Sequence, residues 1–306
     1  MVLLIAAELI ARFYYGLGDP PLVQADPRIE YLYQPSKTYY RFGHVIHYNA
    51  YSMRSEDFPQ RRQDPRELRI MVLGDSVING GASTDQNELA TELLKARLSN
   101  ELKRPVVVGN ISAGSWGPPN LLAYAERFGW FDANVVIIVV GSEDYGDVPL
   151  FRPLSADQPS TSPVCALQEV LMRYLPALID FVRRGASSQS PEAVPAPSRQ
   201  EIDDSLYALG QLIDQARDTG ALVALAMHSE RNELTSGPKP GYAILQAAAR
   251  KRNVPIIEFK SAFLRSLTTE QREPYRDWVH PNALGQRLIA DSLFDWLTRN
   301  VDRGPR

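Results

Sequence analysis

A serine, a histidine and an aspartate stand where they can form a nucleophilic site. Ser76 lies in the run Gly74-Asp75-Ser76, whose glycine lets the chain turn sharply after an apolar segment. A serine hydroxyl is a poor nucleophile at neutral pH unless an imidazole accepts its proton and a carboxylate orients that imidazole. Asp277 and His280 are close enough in sequence to meet the second requirement within one loop. We therefore predict Ser76 as nucleophile, with Asp277 and His280 as its acid and base.

Two backbone amides are candidates for an oxyanion hole. The Ser76 amide would lie near a helix N-terminus, and Gly114 follows a second apolar run, where a missing side chain permits close approach to a ligand. A third turn, Gly141-Ser142-Glu143-Asp144, makes the position of Glu143 another candidate. The side chains of Asn79 and Ser142 are further candidate donors.

Five short apolar runs are predicted strands, and each is rich in Val, Ile or Leu, as strands buried on both faces of a parallel sheet are. They are Leu68 to Leu73, Val106 to Asn110, Val135 to Val140, Leu222 to Met227 and Val254 to Phe259. Amphipathic helices between them indicate an α/β fold with a sheet covered on both faces. Ligands bind beyond the carboxyl ends of such strands, so the three turns are expected to meet there.

Helix signals support this order of elements. Asp85 and Glu88 predict the start of a helix after the first strand, and Ser198 with Glu201 predicts one that ends at Gly220. The last helix carries an apolar stripe that would anchor the Asp277–His280 loop against the sheet. The stripe comprises Leu284, Leu288, Ile289, Leu293, Trp296 and Leu297.

These motifs resemble the SGNH/GDSL hydrolase family over about Leu68 to Leu297. Gly74-Asp75-Ser76 resembles its GDS block, Gly114 its glycine, and Asp277-x-x-His280-Pro281-Asn282 its final DxxH block. Asn49 to Arg54 resembles an N-x-x-G-x-R segment, with Ser52 in the place of the glycine. The resemblance implies a three-layer α/β/α sandwich with a flavodoxin-like, five-stranded parallel sheet, here with an N-terminal extension. It also suggests the bacterial membrane-anchored or exported members.

One block departs from the family pattern. The family has G-x-N-D after the third strand, and its Asn donates to the oxyanion, whereas Glu143 occupies that place here. An ionised carboxylate would repel the developing charge, and loss of one such donor costs on the order of 100-fold to 1,000-fold in turnover. Three explanations stay open: Glu143 is protonated, it points away, or the amides suffice.

Residues that follow the strands are candidates for substrate binding. We name Asp75, Trp116, Asp144 and His228 for this reason, and Arg54 as a candidate for an anionic or polar group. The alternatives are a structurally satisfied histidine and a structural ion pair of Arg54. The loop from Ser229 to Gly241, which contains Lys239, is a further candidate contact.

Composition excludes several classes of function. The 306 residues have a formal net charge of -3 and no basic face, so a nucleic-acid partner is not expected. Cys165 is the only cysteine, which excludes an intramolecular disulfide, a CxxC pair and a thiolate metal cluster. His44 and His47 have no carboxylate at metal-ligand spacing. Neither a metal nor an organic cofactor is expected.

The N-terminus predicts a helix with Leu3, Leu4, Ala7, Ile10 and Tyr14 on a docking face. The alternative is the end of a longer anchor, so membrane association and a periplasmic or membrane-anchored location are expectations. We predict an extension over residues 1–66 with short strands, and a hydrolase domain over 67–300. Residues 185–198, rich in proline and poor in large side chains, are predicted to be a flexible insertion.

Together these features predict a serine hydrolase that cleaves carboxylic esters through an acyl-enzyme. By analogy with the family, we expect short O-acyl groups such as acetyl on a carbohydrate. The alternatives are a polysaccharide O-acyltransferase with the same triad and a non-catalytic glycan-binding module.

Overall fold

The computed structural model describes residues 1–155, 157–176, 178–179 and 195–301. The extension begins with a helix, α1 (Val2–Leu9), followed by a π-helical turn (Ile10–Tyr14). It continues as two antiparallel hairpins, which are the short strands predicted there: β1 (Val23–Asp26) with β2 (Glu30–Tyr33), and β3 (Lys37–Arg41) with β4 (His44–Tyr48).

Five parallel strands form the central sheet in the order β6-β5-β7-β8-β9. They are β5 (Leu68–Gly74), β6 (Val106–Ser112), β7 (Val135–Val140), β8 (Leu222–Met227) and β9 (Ile256–Glu258). The predicted strands are confirmed, although the last is shorter than the sequence suggested. The strand order reverses between β5 and β7, so the crevice expected of a doubly wound sheet opens at their carboxyl ends.

Helices cover both faces of the sheet, as predicted. On β5, Met71 and Leu73 face one apolar layer, and Ile70 and Val72 face the other. The first layer is covered by α4 (Pro118–Phe128), α6 (Arg199–Asp218) and α8 (Pro240–Lys251). The second is covered by α3 (Ala90–Leu102), α9 (Lys260–Thr268) and α10 (Ala283–Asn300). Three further short α-helices are α2 (Ser76–Asn79), α5 (Ala166–Glu169), which continues as a π-helical turn (Val170–Tyr174), and α7 (Glu233–Ser236).

Two helix starts were predicted from capping signals, with different outcomes. Ser198 caps α6 and exchanges hydrogen bonds with Glu201, as predicted. Asp85 instead caps a 3₁₀ turn (Gln86–Glu88), and α3 begins only at Ala90 because the intervening Leu89 is extended. The predicted insertion falls mainly on residues 185–194, which lie outside the described residues, and residues 195–198 lead into α6 without regular structure.

The first hairpin is part of the main core. Ile29, Tyr31 and Leu32 lie in the same apolar cluster as Met71 and Leu73 of the sheet. The extension and the sheet therefore share one buried layer on this side.

The docking face predicted for α1 is wrong. Leu3, Leu4 and Tyr14 are exposed, and so is Ile10. The polar side faces the protein because the Glu8 carboxylate accepts hydrogen bonds from the first amides of α5, at 2.9 Å each. The first amides of a helix have no hydrogen-bond partner within the helix, and the helix dipole favours a negative charge there. The Glu8 carboxylate satisfies both conditions at the start of α5.

Candidate active site

The Ser76 hydroxyl stands at the start of α2, directly after β5. Asp75 caps this helix, and its carboxylate accepts from the Val77 amide at 2.8 Å. Gly80 closes the helix with a φ of 72°, a left-handed conformation that favours glycine. The strand, the cap and the glycine thus hold Ser76 at the crevice between β5 and β7.

The Asp277–His280 loop meets Ser76 from the other end of the chain. His280 Nε2 lies 2.9 Å from Ser76 Oγ, and His280 Nδ1 lies 2.8 Å from Asp277 Oδ2. The second carboxylate oxygen of Asp277 accepts from the backbone amides of Val279 and His280, at 2.9 and 2.8 Å. The three predicted triad residues are therefore within hydrogen-bond reach of one another.

The Asp277 carboxylate is held in its ionised form. Partial burial opposes ionisation, but the amides of His280 and Val279 and the His280 ring outweigh it, so the pKa of Asp277 is lowered. An ionised Asp277 accepts from Nδ1–H and leaves the Nε2 lone pair directed at the hydroxyl of Ser76. This is the tautomer that general-base catalysis needs.

Two residues that sequence reasoning missed connect the loop to the serine. Arg276 Nη1 donates to the carbonyl of Gly80 at 3.1 Å, and so joins the loop to the turn after α2. Gln286, fully buried on α10, donates to the Val77 carbonyl at 2.8 Å and accepts from the Ala90 amide at 2.9 Å. The signal for Gln286 was a polar residue within an apolar stripe, one turn before Ile289.

The Gly114 loop is held by the N-terminal hairpin. The Tyr31 hydroxyl donates to the Gly114 carbonyl at 2.6 Å, and Ser115 has a φ of 56°, which is unusual for a residue with a side chain. Within the described residues, the amides of Ser76 and Gly114 make no intramolecular hydrogen bond. Both amides are thus available to a ligand oxygen.

The side chains proposed as donors to the oxyanion hole form hydrogen bonds with other groups of the protein. Asn79 is buried, and its amide donates to the Ser112 carbonyl at 2.8 Å, so the prediction of Asn79 as a donor is wrong. The Ser142 hydroxyl donates to Glu233 at 2.5 Å and is also buried. Both side chains are buried, and a buried polar group without a hydrogen bond would cost folding free energy, so each is held by a partner within the protein.

Glu143 points to a lysine. Its carboxylate forms an ion pair with Lys239, whose ammonium also binds the buried Glu230 at 2.5 Å. The Glu143 side chain keeps 52% exposure. Of the three explanations for the missing Asn, this geometry favours a carboxylate that points away from the serine.

A second carboxylate orders this region. Glu233 is buried and accepts from the Glu230 amide at 2.9 Å and from the Lys239 amide at 2.7 Å. Because Glu233 also binds Ser142, it ties the loop that carries Lys239 to the turn that carries Glu143. The predicted substrate loop lines the cavity through Glu230, and Lys239 joins Glu230 to Glu143.

Two of the predicted substrate contacts are structural instead. Trp116 is 2% exposed and packs against Tyr31 and Tyr124 in the core. Arg54 is fully buried and donates to Gln86 and to the carbonyls of residues 79, 81 and 84. Among the described residues it forms no ion pair, and it does not line the cavity, because its donors satisfy the carbonyls of the turn after α2.

The segment around Arg54 keeps the geometry of the family motif. Ser52, at the glycine position, adopts the left-handed conformation with a φ of 61°. Glycine takes this conformation without strain, whereas serine does so at a cost.

Asp75, Asp144 and His228 do line the cavity beside Ser76. Asp144 is buried and accepts from the Gly141 amide, and burial raises its pKa well above the usual value. His228 Nε2 lies 2.8 Å from the Val279 carbonyl, and burial lowers the pKa of His228 from 6.5 to about 4, so its ring is neutral. Because a carbonyl can only accept, Nε2 carries the proton.

The cavity has a volume of about 240 Å³. Ser76 and His280 line it, together with residues from the turns after β6, β7 and β8. The remaining lining residues are Val77, Ser115, Gly141, Ser142, Glu143, Asp147, Glu230, Trp278 and Val279. The residues that the structure describes contain no group of three His, Cys, Asp or Glu side chains arranged for a metal ion.

Comparison with known proteins agrees with this arrangement. The model of the GDSL-like lipase/acylhydrolase family matches residues 72–288. A search of curated proteins found no match.

Three solved structures illustrate the likeness. A lipolytic G-D-S-L family member from Veillonella parvula is 16% identical, with 76% of this chain and 99% of that chain covered and a TM-score of 0.45. An acetyl xylan esterase is 14% identical, with 75% and 100% covered and a TM-score of 0.47. A psychrotrophic esterase from Pseudoalteromonas, inhibited by monoethylphosphonate, is 17% identical, with 76% and 97% covered and a TM-score of 0.45.

The family match spans more than half of the 306 residues and includes Ser76, Asp277 and His280. The chain therefore belongs to the GDSL-like lipase/acylhydrolase family and is an ester-hydrolysing enzyme.

Proposed function

We propose that the protein is a serine esterase that works through Ser76, His280 and Asp277. His280 Nε2 takes the proton of Ser76 Oγ as this oxygen attacks the ester carbonyl carbon. The amides of Ser76 and Gly114 hold the oxyanion until the alcohol leaves with the proton from His280. Water, deprotonated by His280, then releases the acid from the acyl-enzyme. The observation that carries this proposal is the 2.9 Å contact between Ser76 Oγ and His280 Nε2.

The cavity supports a short acyl group on a polar alcohol. Five of its lining residues carry carboxyl groups, which suit a polar alcohol, and its volume is about 240 Å³. A volume of this size can enclose a short acyl group, whereas a long acyl chain needs a larger apolar pocket. We therefore propose O-acyl groups such as acetyl on a carbohydrate as substrates.

A serine variant tests the catalytic proposal. Ser76→Ala should abolish hydrolysis of 4-nitrophenyl acetate and labelling by a fluorophosphonate, while circular dichroism stays unchanged. The matched control, Ser83→Ala, removes an exposed hydroxyl and should retain both activities. Unchanged turnover in Ser76→Ala would remove this residue from the mechanism. Acetyl transfer to an oligosaccharide in preference to acetate release would identify an O-acyltransferase instead.

The N-terminal segment supports a second proposal, that it associates with a membrane surface. Its first seven residues are apolar on every side of the helix, and Leu4, Leu9 and Phe13 are 67%, 49% and 78% exposed. A helix that is apolar all round is stable only when something apolar covers it. None of the helices in the described part of the chain has the length and apolar character that a membrane crossing requires.

A further inference from the structure

The cavity beside Ser76 offers far more hydrogen-bond acceptors than donors. Five of its lining residues carry carboxyl groups: Asp75, Glu143, Asp144, Asp147 and Glu230. The described lining residues include no lysine and no arginine. A ligand that fills this space must supply donors, because carboxylates only accept hydrogen bonds when they are ionised.

The ammonium of Lys239, which contacts two of these carboxylates, does not reverse this balance. Lys239 binds both Glu143 and Glu230, so two carboxylates share a single ammonium group. The group formed by Lys239, Glu143 and Glu230 has a net negative charge when both carboxylates are ionised. An anionic ligand would meet this charge in a partly enclosed site, where electrostatic interactions are stronger than in water.

Two carboxyl groups of the cavity have raised pKa values, so they are protonated more easily than ordinary carboxyl groups. Burial and the nearby Asp75 raise the pKa of Asp147 to about 7, and burial raises that of Asp144 well above its usual range. An additional negative charge would raise these pKa values further, at a free-energy cost. Hydroxyl groups impose no such cost, since they can donate to a carboxylate and accept from a protonated carboxyl.

An aromatic side chain also lines the cavity. Trp278 lies between Asp277 and His280 in sequence, lines the cavity and is 47% exposed. The Lys239 ammonium lies 5.9 Å from the centre of its ring. An exposed indole offers a flat apolar surface, and the C–H face of a sugar ring fits such a surface.

We propose that this cavity binds the alcohol half of the ester as an uncharged, hydroxyl-rich sugar and discriminates against sugars that carry a carboxylate. The sugar hydroxyls donate to the carboxylates of the rim, while the ring lies against Trp278. This inference rests on the proposed esterase function, and it adds the charge and hydrogen-bonding character of the alcohol.

A pair of substrates that differ by one charge tests the inference. Acetylated methyl glucuronoside is prepared as the free acid and as the primary amide, and kcat/KM for acetate release is measured for each at low and high salt. We expect the amide to be the better substrate by about tenfold, since one or two uncompensated charges act on the acid. Added salt should raise kcat/KM for the acid but not for the amide, because only the acid is repelled.

A charge variant and its control locate the effect. Glu143→Gln should raise the acid-to-amide ratio of kcat/KM about fivefold, as expected for one partly screened charge. Glu101→Gln removes a carboxylate from the exposed end of α3, far along the chain from the site, and should leave the ratio unchanged. Equal kcat/KM for acid and amide, a ratio unmoved by Glu143→Gln, or hydrolysis of 4-nitrophenyl acetate without hydrolysis of either sugar would overturn the inference. Failure to hydrolyse any of the three esters would instead refute the proposed function.

Discussion

Replacing Asp277 by Asn tests whether the loop fixes the tautomer of His280. In the structure one carboxylate oxygen accepts from the amides of Val279 and His280, and the other accepts from His280 Nδ1. Asn has only one oxygen, and the two backbone amides require it, so the NH₂ group would face Nδ1. An NH₂ group can only donate; Nδ1 must then accept, and the proton moves to Nε2. A protonated Nε2 in a neutral ring cannot take the proton of Ser76.

The size of the effect follows from the cost of the opposite orientation. If the side-chain amide turns so that its oxygen faces Nδ1, the hydrogen bonds from the Val279 and His280 amides are lost. These two N–H groups then face the side-chain NH₂ group, which is also a donor. Leaving such donors unpaired costs about 1 to 3 kcal/mol each, or about 2 to 6 kcal/mol for the two, so the productive orientation is populated in about 1 in 30 molecules or fewer. The variant also lacks the charge that stabilises the imidazolium. Together these terms predict a fall in kcat of about 10³- to 10⁴-fold, comparable with the same exchange in other triads.

The measurement is the initial rate with 4-nitrophenyl acetate, with the rate of fluorophosphonate labelling as a second readout. KM should change little, since Asp277 is not a cavity-lining residue. Asp295→Asn, on the exposed side of α10, makes the same chemical change away from the site and should retain full activity. A loss smaller than tenfold in a folded Asp277→Asn protein would refute the argument that the two amides dictate the tautomer.

Three further predictions concern other parts of the molecule. Glu143→Asn should raise kcat for 4-nitrophenyl acetate, because Asn can donate to the oxyanion, and a sharp fall would show that the carboxylate paired with Lys239 has its own role. His228→Gln should reduce the acid sensitivity of the fold: since its folded pKa of about 4 lies below the ordinary 6.5, His228 contributes stability that is complete above pH 6.5 and declines as pH falls toward 4. The wild type should therefore lose about 2 kcal/mol more unfolding free energy than the variant between pH 7 and pH 5, measured by urea denaturation, and equal losses would contradict this. Leu4→Asp combined with Phe13→Asp should abolish flotation with lipid vesicles while leaving esterase activity intact, and persistent flotation would refute the membrane proposal.

The parts of the fold that the sequence predicted well are those determined by local patterns. The continuous apolar run from Val135 to Val140 is short and consists of Val and Ile, which predicts a strand buried on both faces, and it is one. Ser198 and Glu201 define a helix start within four residues, so no distant contact was needed to recognise it. The spacing of Asp277 and His280 likewise fits a contact made within one loop.

The errors arose where a distant partner decides the role of a side chain. Arg54 looks like a residue for an anion until the turn after α2 is folded around it and provides carbonyl acceptors. Trp116 follows a strand like a pocket residue, but Tyr31 from the extension covers it. The polar side of α1 faces inward because Glu8 finds the amides of α5, far away in the sequence. Contacts between residues that are far apart in the sequence cannot be predicted from composition and periodicity.

The hydrogen bond from Tyr31 to Gly114 also determines what can be excised from this chain. Tyr31 lies outside the range 72–288 that the family model matches, yet its hydroxyl fixes the carbonyl next to a predicted oxyanion donor. A shortened version that starts at β5 would lose this brace and would uncover Met71 and Leu73 of the sheet. A chimera built by grafting only the matched range onto another scaffold would inherit the serine and its imidazole, but with the Gly114 loop unsupported.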